Sequence, residues 1–572
     1  MIFSSLASIN LGEIPSQITN LSEEQRYSSA NNSALASSFQ NLGWSEGSNL
    51  ASNITGKLEA NQIISLNETH IMYLGTFSGS SFTISDGTSY SNILGTGDKQ
   101  GIIFVVNLTS ENIEFARMPT KGEFNFVNGI ITSSGSIVIS AQGLSDSNGD
   151  MKFDGVTAAS GTCGSSSSSG KCGVILVYNS TMNLQSTHWI KHYDRSAYRQ
   201  ISEGSNGDII ISGNIRGSMD FMKGNTATTD IGIGGSLSSS GSCQGENLFI
   251  ASLNTSSDWN WVQKASGYIE IESTGMAAHT NGTIYMTGEI SSCGSYSGTA
   301  TFGSYSITSS NLGGGQGGAS QFFATLSSSG TWNSLSVSST PGEFYLYNPD
   351  FGGQNTMVFL GDYLVFSGFL DEGGMTGTTY IDWLGNNITS VSYFVSNHMI
   401  FYYNLSSDQL DYVLRAGVAN QDGQDRYRSM NFYPLDNATL AFTTFSKGSF
   451  RIENTTYPVS SDGLIVGRID TQSTSTWAIV ADSTDNVAFS PYSRPHLHVA
   501  NQTFSAIITM TGSIGFGSNS MYLTDDIGVI GLGFDHDGDM DADVSDFDDD
   551  NDGIPDSSDL CSKGNLYSSS PQ

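Results

Sequence analysis

The chain alternates short apolar runs with polar turns rich in Gly, Ser and Asn. Its two clearest copies are NGDIIISGNI, starting at residue 206, and NGTIYMTGEI, starting at residue 281. Each begins with an Asn-Gly turn, continues as an apolar strand and ends at a glycine that favours a backbone bend. The same shape returns in ETHIMYLGTF at 68, SGSIVISAQG at 134, LGDYLVFSGF at 360, DNATLAFTTF at 436 and QTFSAIITMTG at 502.

These seven runs define seven repeat units. The residues at the predicted bend are 66 to 80 positions apart: Gly75, Ala141, Gly213, Gly288, Gly368, Thr444 and Gly512. Each unit continues with a second apolar run: GIIFVVNLTS at 101, GVILVYNST at 173, NLFIASLNTS at 247, QFFATLSSSG at 321, MIFYYNLSS at 399, GLIVGRIDT at 463 and DIGVIGLGF at 526. A tryptophan strand often follows, as in DWNWV at 258 and TWNSL at 331.

Each unit therefore predicts about four strands, two of them apolar almost throughout, as expected for strands covered on both faces. Seven such sheets arranged radially bury these faces against one another. The expected fold class is all-β, a seven-bladed β-propeller over residues 57–534. An array of Ig-like sandwich domains is the main alternative, although such domains usually run to about 100 residues. A parallel β-helix has much shorter rungs than this period.

The repeat resembles the secreted bacterial and archaeal β-propeller repeat family, whose units read roughly as a GN.YVTG strand, an FG hairpin, a D.FVAKL strand and a W.W strand. NGTIYMTGEI, TATFG at 299, QFFATLSSSG and TWNSL follow this order, whereas the fifth and sixth units match only by hydrophobic shape. The resemblance covers residues 57–534 and implies a fold rather than an activity.

The seventh unit ends at Phe534 without a tryptophan strand. The N-terminal segment, residues 1–56, contains ASSFQNLGWSEGS at 36–48, and its Trp44 is a candidate for the missing outer strand. The alternative is a mobile leader rich in Ser and Asn.

The charge balance is strongly acidic. The chain has 54 acidic and 21 basic residues, a formal net charge of -33. This balance argues against a nucleic-acid partner, which requires surplus Lys and Arg. No apolar run is long enough to span a membrane as a helix, so no transmembrane segment is expected.

The aspartate run after Phe534 matches a calcium loop. A twelve-residue calcium loop takes ligands from positions 1, 3, 5, 7, 9 and 12 and has glycine at position 6. From Asp548 onward every position is filled, with Gly553 at position 6 and the ligands Asp548, Asp550, Asp552, Ile554, Asp556 and Asp559. The expected cofactor is therefore calcium (Ca2+). A disordered acidic tail is the alternative.

Two further frames are less complete. One starts at Asp535 with Met540 in place of the turn glycine, and its candidate ligands are Asp535, Asp537, Asp539, Asp541, Asp543 and Asp546. A weaker candidate inside the second unit consists of Asp146, Asn148, Asp150 and Asp154, with no ligand at position 12. A polar hairpin turn is the more common explanation for that last pattern.

DDDNDGIPDSSDLC resembles the thrombospondin type 3 repeat, in which calcium loops stack in tandem without flanking helices. The resemblance implies calcium-binding repeats over residues 535–561, with 562–572 as a linker or a truncated continuation. In that family the cysteine forms a disulfide with one in a neighbouring repeat. The sequence does not identify such a partner for Cys561. If the compartment is oxidising, Cys163 is expected to pair with Cys172, and Cys243 with Cys293.

The expected function is an extracellular or cell-surface binding or adhesion protein whose partner is a glycan, polymer or protein. Thirteen Asn-x-Ser/Thr triplets are compatible with secretion. The alternative is a secreted hydrolase or lyase acting on polysaccharide or peptide. No nucleophile, base or metal motif supports this alternative, and His496 and His498 are expected to be packed or solvent-facing.

Overall fold

A computed structural model of the chain describes residues 42–49, residues 58–534 apart from internal gaps, and Pro555. The longer gaps are 161–171, 233–246, 309–318, 347–356, 372–379 and 419–429. The described residues are all-β and contain no helix, so they include no helix able to cross a membrane. The first strand, β1 (Leu42–Asn49), precedes the seven units.

Units 1 to 3 share one plan of four strands with a hairpin between the second and third. Unit 1 contains β2 (Leu58–Ser65), β3 (His70–Phe77), β4 (Ser81–Thr83), β5 (Ser89–Ser91), β6 (Gln100–Asn107) and β7 (Asn112–Arg117). After β8 (Pro119–Lys121), unit 2 contains β9 (Glu123–Ile131), β10 (Ile137–Leu144), β11 (Asp150–Phe153), β12 (Val156–Ser160), β13 (Cys172–Tyr178) and β14 (Leu184–His192). Unit 3 contains β15 (Ser196–Glu203), β16 (Ile209–Ile215), β17 (Ser218–Lys223), β18 (Thr226–Gly232), β19 (Asn247–Leu253) and β20 (Trp259–Gly267).

Units 4 to 6 repeat this plan, except that the first strand of unit 5 is divided in two. Unit 4 contains β21 (Glu270–Ala278), β22 (Ile284–Ser291), β23 (Thr299–Phe302), β24 (Tyr305–Thr308), β25 (Ala319–Leu326) and β26 (Trp332–Val337). Unit 5 contains β27 (Glu343–Leu346), β28 (Met357–Leu360), β29 (Tyr363–Asp371), β30 (Tyr380–Trp383), β31 (Asn386–Thr389), β32 (Ser396–Asn404) and β33 (Gln409–Val418). Unit 6 contains β34 (Asn431–Pro434), β35 (Thr439–Lys447), β36 (Phe450–Ile452), β37 (Thr455–Tyr457), β38 (Asp462–Asp470) and β39 (Thr476–Asp482).

Unit 7 is completed by the N-terminal strand. Its own strands are β40 (Ala488–Phe489), β41 (His496–Ala500), β42 (Thr503–Phe516) and β43 (Asn519–Phe534). β1 pairs antiparallel with the outer side of β43, with Trp44 opposite Leu532 and Leu42 opposite Phe534. The segment around Trp44 therefore lies at the outer edge of unit 7, the position of the outer strand that this unit lacks in its own sequence.

Units 3, 4 and 6 each add a hairpin to the sheet of the preceding unit. β17 and β18 extend β14, β23 and β24 extend β20, and β36 and β37 extend β33, whereas β11 and β12 form a separate small sheet with β8. Because an unpaired edge is a template for association with other chains, these hairpins protect the outer edges of the sheets.

The predicted bends coincide with irregularities in strand pairing. Opposite Gly75 the register shifts between Ala60 and Gln62, and opposite Gly213 it shifts between Tyr198 and Gln200. A similar shift lies opposite Gly288. Such bulges insert one extra residue in a strand and increase its local twist. The extra residue falls each time on the first strand of the unit.

The buried apolar side chains of the described residues form seven clusters, each of which joins neighbouring units. For example, one cluster joins Leu248 and Ile250 of unit 3 to Met286 and Phe322 of unit 4. Another joins units 6 and 7. The cluster around Tyr73 and Phe104 of unit 1 includes Ile507 and Val529 of unit 7. The first and last units are therefore packed against each other, although they are far apart in the chain.

Candidate functional site

The aspartate run begins where the last strand of unit 7 ends. The predicted calcium ligands lie outside the described residues; they are Asp535, Asp537, Asp539, Asp541, Asp543, Asp546, Asp548, Asp550, Asp552, Ile554, Asp556 and Asp559. The residue that precedes them, Phe534, is within the described residues. It is the last residue of β43 and pairs with Leu42. Any loop built from Asp535 onward therefore starts beside a strand that is hydrogen-bonded on both sides, by β1 and by β42.

The weaker candidate in unit 2 forms a hairpin turn. The amide N–H of Asp150 donates to Asp146 Oδ1 at 2.9 Å, and the amide N–H of Gly149 donates to the Asp146 carbonyl at 2.9 Å. Asp146 thus closes the turn before β11 with both its backbone and its side chain. Asn148 lies outside the described residues.

The carboxylates of this hairpin face cationic side chains. Lys121 Nζ lies 3.4 Å from Asp146 Oδ2 and 3.2 Å from Asp150 Oδ2, and the hydrogen bond to Asp150 raises the pKa of Lys121. Asp154 instead accepts a hydrogen bond from Arg117 Nε at 2.9 Å. The structure therefore brings Asp146 and Asp150 together around a lysine and pairs Asp154 with a different cation. A calcium ion would have to displace Lys121, so this geometry favours the hairpin-turn alternative.

The cysteine predictions are only partly covered by the described residues. Cys172 is fully buried at the first position of β13. Cys163, Cys243 and Cys293 lie outside the described residues. The pairing of Cys163 with Cys172, and that of Cys243 with Cys293, both stay predictions.

A group of carboxylates that sequence reasoning missed lies on β21 and β22. Glu289 pairs in register with Glu272, and Glu270 lies two residues before Glu272 on the same strand. Burial is the main cause that raises the pKa of Glu289 to about 7; the charges of Glu272 and Glu270 contribute to the rise, and a hydrogen bond from Gln321 opposes it. Gln321 Nε2 lies 3.4 Å from Glu289 Oε2. This carboxyl group can therefore change protonation near neutral pH, which is unusual for a glutamate.

Arg199 links this group to unit 3. Its guanidinium, which is buried, lies 3.8 Å from Glu272 Oε2. Arg199 is the extra residue of the bulge in β15, so the bend at Gly213 directs a cation towards the neighbouring sheet. The alternation of Glu270 and Glu272 with Ile271 at the start of β21 is the sequence signal that could have indicated this cluster. Among the described residues no group of three or more His, Cys, Asp or Glu is arranged to hold a metal ion.

His496 and His498 are buried on β41. Tyr433 OH of unit 6 lies 3.2 Å from His496 Nδ1. On the other side, His498 Nδ1 lies 2.7 Å from Ser65 Oγ, and its Nε2 lies 3.1 Å from the Glu68 carbonyl. These histidines therefore have a packed role and connect unit 7 to its two neighbours.

Comparison with known proteins gives little similarity. No protein-family model matches the chain, and no curated protein matches it significantly. Among solved structures, one described as "Structure of Dos1 propeller" is 6% identical, with a TM-score of 0.32, over 86% of this chain and 95% of that one. The acylaminoacyl peptidase of Pyrococcus horikoshii is 10% identical, with a TM-score of 0.28, over 82% of this chain and 59% of the peptidase. The chain thus spans little more than half of the peptidase, and TM-scores this low carry no argument about function.

Proposed function

We propose that this chain is an extracellular calcium-binding protein that acts in surface binding or adhesion. Residues 57–534 form a closed seven-bladed β-propeller, and residues 535–561 form a calcium-stiffened spacer of thrombospondin type 3-like loops. The ring is supported by the seven shared cores, since the cluster around Tyr73 joins unit 1 to Ile507 of unit 7. A closed ring leaves no exposed sheet face and few open edges.

The observation that carries this proposal is the junction at Phe534. The strand that ends there is fixed between β42 and β1, and the first candidate ligand, Asp535, is the next residue. Calcium bound in the following loops would neutralise a run of carboxylates that otherwise repel one another. The spacer would then extend from the ring at a fixed point instead of behaving as a loose acidic tail.

Surface binding is supported by the uneven lengths of the connections between second and third strands. In unit 6 this connection covers residues 448–461, whereas in unit 3 it covers residues 216–246. Variable connections on a rigid scaffold are common places for binding residues. The expected partner is an extracellular glycan, polymer or protein.

Limited proteolysis of the full chain tests the calcium part of the proposal. With calcium, residues 535–561 should resist cleavage; with a chelator, the same region should be cut first while the units remain intact. The D548N/D550N/D552N variant should be cut rapidly in both conditions, and D146N/D150N should behave like the parent chain. A C-terminal cleavage pattern that is the same with calcium and with chelator would reject the calcium-stiffened spacer.

One observation favours a second candidate function, a secreted hydrolase or lyase acting on polysaccharide or peptide. Glu289 has its pKa raised to about 7 by burial, as a general acid requires, and Glu272 lies beside it. A screen on polysaccharide and peptide substrates tests this alternative. Activity that is lost in E289Q but kept in E123Q would support an enzyme, and an inactive parent chain would reject it for the substrates used.

A further inference from the structure

Asn-x-Ser/Thr triplets are concentrated at one end of the units. In an antiparallel meander the turn between the first and second strands and the turn between the third and fourth strands lie at the same end of the sheet. Eight of the thirteen triplets fall in or beside these turns, and every unit has at least one: Asn67, Asn107, Asn179, Asn254, Asn281, Asn404, Asn437 and Asn501. Asn501 is placed by its position between β41 and β42, because it lies outside the described residues.

The turns of neighbouring units lie on the same side of the proposed ring. In the turn of unit 2, Ser133 donates to the Glu203 carboxylate at the end of β15, with its hydroxyl at 2.7 Å. A Cβ built on Gly282, in the turn of unit 4, would lie 3.4 Å from Ser205 Oγ in the turn of unit 3. The carbonyl of Glu68, in the turn of unit 1, reaches His498 of unit 7. One face of the ring therefore presents these turns, and the variable connections lie on the other.

Asn67, Asn107, Asn179 and Asn404 are each held in a defined conformation by hydrogen bonds from their own turns to the side-chain oxygen. The side-chain oxygen of Asn179 accepts hydrogen bonds from the Thr181 amide at 3.1 Å, the Thr181 hydroxyl at 2.9 Å and the Asn183 amide at 2.9 Å. The side-chain oxygen of Asn67 accepts in the same way from the amide of Thr69 at 2.9 Å and from its hydroxyl at 3.2 Å. Each oxygen is thus turned towards the backbone, which directs the amide nitrogen Nδ2 away from it.

Asn107 and Asn404 differ from Asn67 and Asn179 because they also donate an Nδ2 hydrogen bond to a carboxylate. Asn107 Nδ2 donates to Glu114 Oε1 at 2.9 Å, and Asn404 Nδ2 donates to Asp411 Oδ2 at 2.8 Å. A bulky substituent on these nitrogens would have to fit beside a carboxylate. The Asn-x-Ser/Thr motif therefore occurs on this face both with and without an Nδ2 hydrogen bond to a neighbouring carboxylate.

We propose that Asn67 and Asn179 are attachment sites for N-linked glycans on the turn face of the ring. The proposal rests on the extracellular location inferred above, because the motif is an acceptor only in exported proteins. The donor class is an oligosaccharide linked to a lipid pyrophosphate. A bond forms between Asn Nδ2 and C1 of the first sugar, the bond from C1 to the pyrophosphate oxygen breaks, and Nδ2 loses one proton. The glycans would cover the turn face and leave the variable connections accessible.

Glycopeptide mass spectrometry of the full chain, purified after export from a host with an N-glycosylation system, tests the proposal. Peptides containing Asn67 and Asn179 should carry a sugar mass on most molecules, and Asn107 and Asn404 should be occupied at least several-fold less. N179Q and T181A should each remove one glycan from the intact mass. The neighbouring control N183Q and the conservative variant T181S should keep it.

Unmodified Asn67 and Asn179 in exported protein would overturn the proposal and leave only the structural role of Asn in these turns. Equal occupancy of Asn107 and Asn404 would overturn the part of the argument that depends on Nδ2. Neither result would affect calcium protection of residues 535–561, which tests the proposed function separately.

Discussion

His498 and Ser65 are 433 positions apart in the chain, yet His498 Nδ1 lies 2.7 Å from Ser65 Oγ. A carbonyl oxygen can only accept, so His498 Nε2 carries the proton that is donated to the Glu68 carbonyl, and Nδ1 accepts from the Ser65 hydroxyl. One neutral imidazole therefore connects the last unit to the first. The proposed ring depends on this contact and on the shared apolar cluster beside it.

Removal of this contact should weaken the packing between units 7 and 1. We expect H498A to lower the free energy of unfolding by roughly 2–4 kcal/mol, since a buried side chain is lost and the Glu68 carbonyl loses its partner. S65A should cost about 1 kcal/mol. Chemical denaturation of both single variants and the double variant forms a cycle, and a coupling energy near zero would contradict a direct interaction between the two residues.

Acid should destabilise the contacts of unit 7 with both of its neighbours through the buried His496 and His498. Burial lowers the pKa of His496 to about 3, and it also lowers the pKa of His498. The unfolded chain binds these protons from about pH 6.5 downward and the folded chain does not, so stability should fall as pH decreases below 6.5. For His496 alone the loss should reach about 2 kcal/mol by pH 5. Thermal unfolding between pH 7 and pH 5 measures this loss, and H496Q/H498Q should reduce the pH dependence; an unchanged slope would refute the explanation.

Glu289 should produce the opposite pH dependence. Its pKa is raised to about 7, so the folded chain holds a proton that the unfolded chain releases above about pH 4.5. Stability should therefore decrease as pH rises from 4.5 to 7 and then level off. E289Q removes the penalty of the buried charge, so it should stabilise the chain by up to about 3 kcal/mol at pH 8 and change little at pH 5. E123Q, which replaces a glutamate on the first strand of unit 2, is the control variant. Equal effects of E289Q at both pH values would show that the carboxyl is not held protonated.

The bend at Gly288 should not accept a side chain. A Cβ there would lie 2.1 Å from the Glu272 carbonyl oxygen and 2.3 Å from the Phe322 ring. We expect G288A to cost about 3 kcal/mol, because β22 would have to move away from β21. Gly135 has a φ of 80° and no atom within 4 Å of an added Cβ, so G135A should cost only about 1 kcal/mol. Denaturation midpoints compare the two, and a smaller effect at Gly288 than at Gly135 would contradict the close contact.

The repeat could be predicted from sequence because it depends on local patterns. The turn and the bend residue of a unit lie in one short run, and each apolar third strand is itself a continuous run. The register shifts opposite Gly75, Gly213 and Gly288 follow this pattern. For His498 the sequence left a packed and a solvent-facing role open, and the structure shows the packed one. The candidate outer strand around Trp44 followed from counting strands in the last unit.

Other features could not be predicted, because they depend on contacts between units. The hairpin of one unit pairs with the sheet before it, and no local pattern identifies that partner. The raised pKa of Glu289 depends on burial between sheets and on Glu272 in a neighbouring strand. The pairing of Asp146 and Asp150 with Lys121 also depends on a distant strand, β8, and it changes how that acidic pattern is interpreted.

Calorimetric titration of the full chain with calcium tests the central claim most directly. The account predicts saturable binding that is lost in D548N/D550N/D552N and retained in D146N/D150N, because the complete frame starts at Asp548 while Lys121 already faces Asp146. Absence of saturable binding, or binding that the triple substitution leaves unchanged, would contradict the account.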